Sequence, residues 1–365
     1  MKRPIIRGNF ISEWFGQRIY PEVRLSDAAV SGQKWGVCPF LTGVKRQRTE
    51  CIKSENAYGV CTINSVGVDG RQDWLVCPYR VIDSNIVKAG CETIFQSGSA
   101  NPPIPVSILS DKKGIAVLEE SLKNHRKAFL FFQDKLGGEI SISGTSASPE
   151  IAFDVTVVEI IRNHGVLKVQ RFGFIEIQTM DFHGSYKRAV ANLRDAHRLH
   201  KKGFSKALAS NPAWISEGVQ SPNIANVFKR TFYQTLLKFE LSKDGAAAGT
   251  ILAIPKSVWD SWQPFLGRPE IEHVKGLNFR IQGSDNETYH GTNAWIFVFE
   301  LDSESPESIS PTSITAKIRV SATDLIEHAF VNVPKNMLHW ARSDDALLQR
   351  IRSRIQKALP TAKIE

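Results

Sequence analysis

The last three quarters of this chain contain no cysteine, and no part of it contains a long apolar run. All five cysteines fall within the first 91 of the 365 residues: Cys38, Cys51, Cys61, Cys77 and Cys91. In a reducing compartment such clustering favours metal binding over disulfides. The longest apolar runs, around residues 128–132 and 295–299, are too short to span a bilayer and are typical of buried strands.

A targeting signal is also missing. The segment Met1–Arg7 carries charge, but no apolar run follows it, so it lacks the pattern of a secretory signal peptide. We therefore expect a soluble, cytoplasmic protein whose partners do not include a membrane.

The composition excludes wholesale disorder and indicates a polyanionic partner. Hydrophobic residues make up 42% of the chain, enough for a sizeable core. Lysine and arginine number 46 against 37 acidic residues, a net charge of +9, and the pI is about 9.3. Such an excess fits nucleic acid or an anionic membrane surface. The length allows two domains, or one large domain with additions.

Turn signals and hydrophobic periodicity divide the chain into three parts. Residues 1–95 are rich in cysteine and turns, and the segment 96–105, with adjacent prolines, is typical of a linker. Residues 96–340 predict a mixture of helices and strands, hence an α/β fold. Residues 341–365 predict a basic C-terminal helix that begins at about Asp344, with Ser343 as N-cap.

Within the middle part, the elements can be placed individually. Helices are predicted at Ser110–Lys127, Tyr186–Leu208 and Asn223–Glu240; strands at Ala128–Gln133, Glu139–Ser143, Ile151–Ile161, Val166–Gln178, Thr250–Ile254, Phe279–Gln282, Trp295–Leu301 and Ile314–Val320. The turn Asn163-His164-Gly165 predicts that the strands on either side of it form a hairpin.

This hairpin carries the residues that point to chemistry. We expect Asp154 in the middle of the first strand, with Glu176 and Gln178 on one face of the second. Two carboxylates on neighbouring strands suit Mg²⁺, which prefers oxygen ligands. Gln178 or the backbone carbonyl of Ile177 could orient a water molecule. Spacing alone leaves open that the acids only face solvent, but the apolar strands around them favour a cation partner.

The spacing of the first four cysteines is weak evidence by itself. Cys38, Cys51, Cys61 and Cys77 are separated by 12, 9 and 15 residues, which is not the paired C-x-x-C pattern of a zinc ribbon. Metal ligands and buried free thiols both remain open from the residues alone.

Several long strings of residues resemble the NotI-like type II restriction endonucleases, from about residue 8 to about residue 330. The strings are Gly173–Lys187, Gln133–Ser143, Ser148-Pro149-Glu150 before Asp154, Asn226–Gln234, Asn293–Asp302, Asn9–Ile11, Tyr20–Val23, Cys38–Thr42 and Asp73–Arg80. The segments Val81–Gln96 and Ala189–Leu208 match poorly.

The resemblance implies a PD-(D/E)xK nuclease core with an N-terminal four-cysteine metal-binding domain. By position, Asp154, Glu176 and Gln178 would form the active site, with Glu139 as a supporting acid and glutamine in place of the usual lysine. Asp154, Glu176 and the Ile177 carbonyl would hold catalytic Mg²⁺. The implied enzyme is a prokaryotic homodimer that cuts double-stranded DNA at a GC-rich palindrome, with GGCC expected inside it, leaving 5′ overhangs. A cognate DNA methyltransferase is the expected partner.

The resemblance also makes four of the cysteines metal ligands. Cys38, Cys51, Cys61 and Cys77 would hold one structural ion, iron or zinc, and the sequence cannot choose between the two metals. Cys91 lies outside that pattern and is expected to be a buried thiol.

Sequence readout of GC-rich DNA usually depends on Arg or Lys donating to guanine and on Asp or Glu accepting from cytosine. The candidates for DNA contact are Arg80, Glu150, Lys187, Lys229 and Arg230. Two other classes of function stay open: a catalytically inactive, sequence-specific DNA-binding protein, and a redox protein that uses the cysteine–metal site.

Overall fold

The structure is a computed structural model that describes residues 8–20, 27–82, 85–98, 101–243, 245, 247–282, 293–302, 309–343 and 346–362. None of the helices in these ranges is both long enough and apolar enough to cross a membrane.

A mixed sheet of nine strands forms the centre of the fold, in the order β14-β15-β17-β16-β13-β10-β9-β6-β5. Its strands are β5 (Ile104–Pro105), β6 (Lys127–Phe132), β9 (Val155–Asn163), β10 (Val166–Ile177), β13 (Thr250–Pro255), β14 (Ile271–Lys275), β15 (Asn278–Ile281), β16 (Ala294–Leu301) and β17 (Thr312–Val320). The pairs β10–β13 and β13–β16 are parallel, whereas β9 and β10 form the predicted antiparallel hairpin.

A second sheet of four strands, in the order β2-β1-β3-β4, belongs to the N-terminal part. Its elements and the helices around it are β1 (Phe10–Trp14), β2 (Gln17–Arg18), α1 (Asp27–Lys34), α2 (Pro39–Lys45), β3 (Val60–Gly67), β4 (Gly70–Leu75), α3 (Tyr79–Ile82) and α4 (Asn85–Ile94). Two short ribbons pair β7 (Ile140–Ile142) with β8 (Ile151–Phe153), and β11 (Phe182–Gly184) with β12 (Val219–Pro222).

The later helices are α5 (Lys112–His125), α6 (Lys187–His200), α7 (Phe204–Ser210), α8 (Ile224–Glu240), α9 (Lys256–Trp262), α10 (Ala322–Ile326), α11 (Val333–Ser343) and α12 (Ala346–Ala358). Of these, α5, α8 and α9 pack on strands of the central sheet, and α12 packs on α11. Alternate residues of the inner strands enter opposite cores. Leu252 of β13 packs on the side of α6, α8 and α9, and Ile251 packs on the side of α4. A large mixed sheet with helices around it confirms the predicted α/β class.

The N-terminal sheet shares its core with the rest of the chain. Phe10, Trp14 and Trp74 pack in one apolar cluster with Leu193 of α6 and Phe239 of α8. The separate units predicted over residues 1–95, 96–340 and 341–365 stay a prediction, but this continuous core marks no boundary near residue 95.

One buried ion pair ties distant segments together. The Arg80 guanidinium lies 2.8 Å from Oε2 of Glu13, and both side chains are fully enclosed. Arg80 also donates to the Ser310 carbonyl oxygen, 2.7 Å away, and Thr62 donates its hydroxyl to Glu13. The pair thus joins β1, β3, α3 and the segment that precedes β17.

Three local predictions were wrong. The helix predicted at Tyr186–Leu208 is divided, because Lys201 takes a left-handed conformation with a φ of 43° after α6. Asp154 is not in the middle of a strand but in the bend between β8 and β9. Ser343 is the last residue of α11 and not an N-cap, while Asp344 lies outside the described residues.

Candidate functional site

A cavity of about 590 Å³ opens where β10 ends, between the β8–β9 bend and helix α8. The four predicted catalytic residues line it: Glu139, Asp154, Glu176 and Gln178. Ile177, whose backbone carbonyl was predicted to bind the cation, also lines it. Helix α8 supplies the opposite wall, with Arg230, Thr231, Tyr233, Gln234, Thr235, Leu237 and Lys238. The structure therefore brings the predicted catalytic residues into one open site.

Asp154 and Glu176 are held against each other by the hairpin. The register pairs Val155 with Ile175, and because the strands are antiparallel, Asp154 and Glu176 lie next to this pair at the same end of the ladder. The Asp154 carboxylate accepts a hydrogen bond of 2.8 Å from the backbone N–H of Ile177. The Glu176 carboxylate accepts a longer one, 3.4 Å, from the backbone N–H of Asp154. Each acid thus fixes the backbone that carries the other.

The Glu176 carboxyl is buried, and burial together with the nearby Asp154 charge raises its pKa to about 8. The Lys238 ammonium acts in the opposite direction and lowers this pKa. Burial, followed by the charge of Asp154, also raises the pKa of Glu139. A cation at this site would relieve the repulsion among these carboxyls.

Gln178 lies just beyond the end of β10 and is buried. Its backbone N–H donates to the Ala253 carbonyl, 2.9 Å away. Both ends of its amide are engaged: the side-chain oxygen accepts from the Thr231 hydroxyl, and the nitrogen donates to the Thr179 carbonyl. This amide holds α8 against the end of the strand.

Lys238 is a site residue that the sequence reading missed. Its ammonium lies 2.5 Å from Oε2 of Glu176, and its side chain is only 5% exposed. A signal for it was present, because Thr231, Thr235 and Lys238 recur at helical spacing on the buried face of α8. Polar residues on an apolar helix face indicate that the face covers something other than a plain core.

The DNA-contact candidates divide into exposed and buried residues. Lys187, Lys229 and Glu150 are exposed, and Glu150 accepts a hydrogen bond from Ser141 and lines the cavity. Arg230 also lines the cavity and pairs with Asp181 at 2.8 Å while remaining 59% exposed. The prediction for Arg80 was wrong, because its guanidinium is enclosed and bound to Glu13 and cannot reach DNA in this fold.

Four cysteines from separate segments line a second, much smaller cavity of about 10 Å³. Cys38 precedes α2, Cys61 lies in β3, Cys77 precedes α3 and Cys51 lies between α2 and β3. Cys91 lies in α4 instead, in the core beneath the central sheet, where burial raises its thiol pKa far above the usual range. The structure thus separates Cys91 from the other four, as predicted.

Positive charge and N–H groups lie beside two of the four thiols, Cys61 and Cys77. A hydrogen bond from the Cys61 thiol, followed by the Lys53 ammonium, lowers the pKa of Cys77. The Gly16 amide donates to the Cys61 sulfur at 3.2 Å. Lys53 donates to the carbonyls of Val60 and Val76, which directly precede Cys61 and Cys77, at 2.7 and 2.8 Å.

Neither site is arranged as a finished metal centre. Among the residues that the structure describes, no group of three or more His, Cys, Asp or Glu side chains is placed so that it could hold a metal ion. The donors share a cavity in each case, and their chemistry differs: oxygen donors line the large one and sulfur donors the small one.

No protein-family model matches the sequence, and no curated protein matches it either.

Proposed function

We propose that this chain is a type II restriction endonuclease with a PD-(D/E)xK core, which hydrolyses both strands of duplex DNA. The observation that carries the proposal is the paired placement of Asp154 and Glu176 at the end of one hairpin, on the wall of an open cavity. The motif resemblance supports the class of target: a GC-rich palindrome containing GGCC, cut to leave 5′ overhangs.

The donor set fits a magnesium ion. Asp154, Glu176 and the carbonyl of Ile177 offer hard oxygen ligands, and Mg²⁺ is often held by one or two carboxylates with substrate phosphate. When bound, the ion would activate a water molecule and neutralise charge on the phosphate. Glu139, whose pKa is raised by burial and then by the charge of Asp154, would take up or release a proton at the rim.

Gln178 has a different task in this proposal from the one that its position in the motif suggests. Since its amide oxygen and nitrogen are bound to Thr231 and Thr179, it is engaged in fixing α8. We assign it to positioning the helix wall rather than to orienting water.

We propose that the four cysteines that line the small cavity bind one structural ion, iron or zinc, and that their thiols, which are not arranged around a metal position in this structure, rearrange on binding. Soft sulfur donors suit either metal. Four ligands would leave no open position for chemistry, so the ion would join the segments that carry Cys38, Cys51, Cys61 and Cys77.

A palindrome presents the same sequence on both strands, and a two-fold symmetric pair of active sites would cut both in one binding event, so we propose a homodimer with one site per chain. Large apolar side chains at the C-terminal end support this, since a second copy would cover them: Phe330, Met337, Leu338, Leu347, Leu348, Ile351, Ile355 and Leu359 are all more than 35% exposed. Sedimentation of the intact chain would then give about twice its 40.8 kDa mass. A DNA methyltransferase with the same target would protect the host.

Digestion of a long duplex in the presence of Mg²⁺, followed by sequencing of the new ends, tests the activity. We expect one recurring palindrome with 5′ extensions at the cuts. Binding to one sequence without any nick would instead favour the alternative, a catalytically inactive DNA-binding protein. A metal-dependent redox couple without cleavage would favour the third class.

A further inference from the structure

Lys238 is the one lysine that is buried within the described part of the chain. It lies near the end of α8 and enters the same cavity as Asp154, Glu176 and Gln178. Burying an ammonium group is costly, and a buried ion pair is often no more stabilising than apolar residues of similar volume. Stability therefore does not explain why this helix position carries a lysine.

The surroundings of Lys238 fix the direction of its ammonium group. The ammonium lies 5.5 Å from the centre of the Phe153 ring and 2.5 Å from Oε2 of Glu176. The Phe153 ring is itself stacked on Phe174 at 3.6 Å, and the Lys238 carbonyl accepts from the Thr250 hydroxyl. The ammonium is therefore held at the cavity wall, directly beside the bend that carries Asp154.

Positive charge is otherwise scarce on this wall. Gln178 is neutral and both ends of its amide are occupied. Arg230, the other cation among the described lining residues, is mostly exposed and pairs with Asp181. Hydrolysis of a phosphodiester builds negative charge on the phosphate oxygens, and fixed positive groups in a water-poor site stabilise that charge strongly.

We propose that Lys238 is a catalytic residue, the cation that contacts the scissile phosphate of bound DNA. Glu176 positions its ammonium, so one helix residue supplies the charge that Gln178 cannot. The inference rests on the proposed nuclease function. The alternative is that Lys238 only neutralises the charge of Glu176 and does not contact the substrate.

The test replaces Lys238 and separates chemistry from binding and folding. Lys238→Met and Lys238→Gln both remove the charge. If the methionine variant does not fold, the glutamine variant serves in its place, because glutamine can still hydrogen-bond to the Glu176 carboxyl. Lys238→Arg keeps the charge. Lys243→Met is the matched control, because Lys243 follows the same helix, is half exposed and pairs on the surface with Glu240 at 3.5 Å.

At saturating Mg²⁺, we expect single-turnover cleavage by the two neutral variants to fall at least 100-fold. Their Mg²⁺ affinity, measured by calorimetry, should stay equal or rise, because a competing cation is gone. Lys238→Arg should recover at least a tenth of the rate, and Lys243→Met should match the unmodified chain.

If the neutral variants cleave as fast as the unmodified chain, Lys238 is only a counter-ion for Glu176, and the inference is overturned. A loss explained wholly by weaker Mg²⁺ binding would also overturn it. If the unmodified chain itself does not cleave DNA, the proposed function fails, and this inference fails with it.

Discussion

The carboxylate cavity and the cysteine cavity are both assembled from side chains far apart in the chain, but they differ in room and in donors. The first has about 590 Å³, oxygen donors and a lysine, and it opens to the surface. The second has about 10 Å³ and four sulfur atoms. The first cavity is open enough for a substrate to enter and the second is nearly closed. On the proposed function, the reaction would take place in the first, and the second would hold separate segments of the chain together.

Removing an acid from the large cavity should have the largest effect. We expect Asp154→Ala or Glu176→Ala to lower cleavage by about 1,000-fold or more, because the remaining acid alone cannot hold the cation in place. Binding to duplex DNA, measured by fluorescence anisotropy, should survive. If both variants cleave at the rate of the unmodified chain, Asp154 and Glu176 take no part in cleavage.

Changing a cysteine in the small cavity should affect stability instead. Cys38→Ser should lose the bound iron or zinc and about 3 kcal/mol of unfolding free energy, since loss of a structural metal is among the most damaging changes. Elemental analysis and thermal unfolding measure both effects. Cys91→Ala is the control, because Cys91 lies in a different core, and it should keep the metal. Unchanged metal content in Cys38→Ser would contradict the ligand assignment.

The carboxylate cavity should respond to pH through Glu176. The folded-state pKa of Glu176 is raised to about 8, so below that pH a proton competes with any cation for its carboxylate. Affinity for Mg²⁺ should therefore rise about tenfold per pH unit from pH 6 to 8 and then level off. The same shift makes the protein without bound cation lose stability as pH rises from about 4.5 to about 8, because only the folded state keeps the proton in that range, and stability levels off above it.

Calorimetric titrations at four pH values would measure this dependence. Glu176→Gln should bind Mg²⁺ weakly and with a much flatter pH profile. A flat profile for the unmodified chain would show that Glu176 is ionised throughout, contrary to its burial beside Asp154.

The smallest effects are expected at exposed basic residues outside both cavities. Lys187→Ala and Lys229→Ala should each weaken DNA binding about two- to fivefold and reduce the slope of affinity against salt concentration by about one, if each contacts a phosphate. Cleavage at saturating enzyme should not change. A selective loss for one DNA sequence would instead indicate base contact.

Sequence patterns predicted the hairpin, most strands and the association of Asp154 with Glu176, because alternation and turn residues act locally. They did not predict Lys238, since its burial depends on how α8 lies across β10. Arg80 was misjudged for the same reason: an arginine looks exposed until Glu13 and Ser310 are known to enclose it. The bend at Asp154 was hidden by the Val- and Ile-rich residues on either side.

The enclosed pair of Arg80 and Glu13 has a consequence for protein synthesis. Ser310, whose carbonyl accepts a hydrogen bond from Arg80, is synthesised 230 residues after it. At about 5–20 residues per second, an emerging chain would wait on the order of 10–50 s for that partner. Strand β16 of the central sheet is made shortly before Ser310, and β17 directly after it. The N-terminal part therefore remains incomplete on the ribosome, and we expect no competent site before nearly the whole chain has been translated.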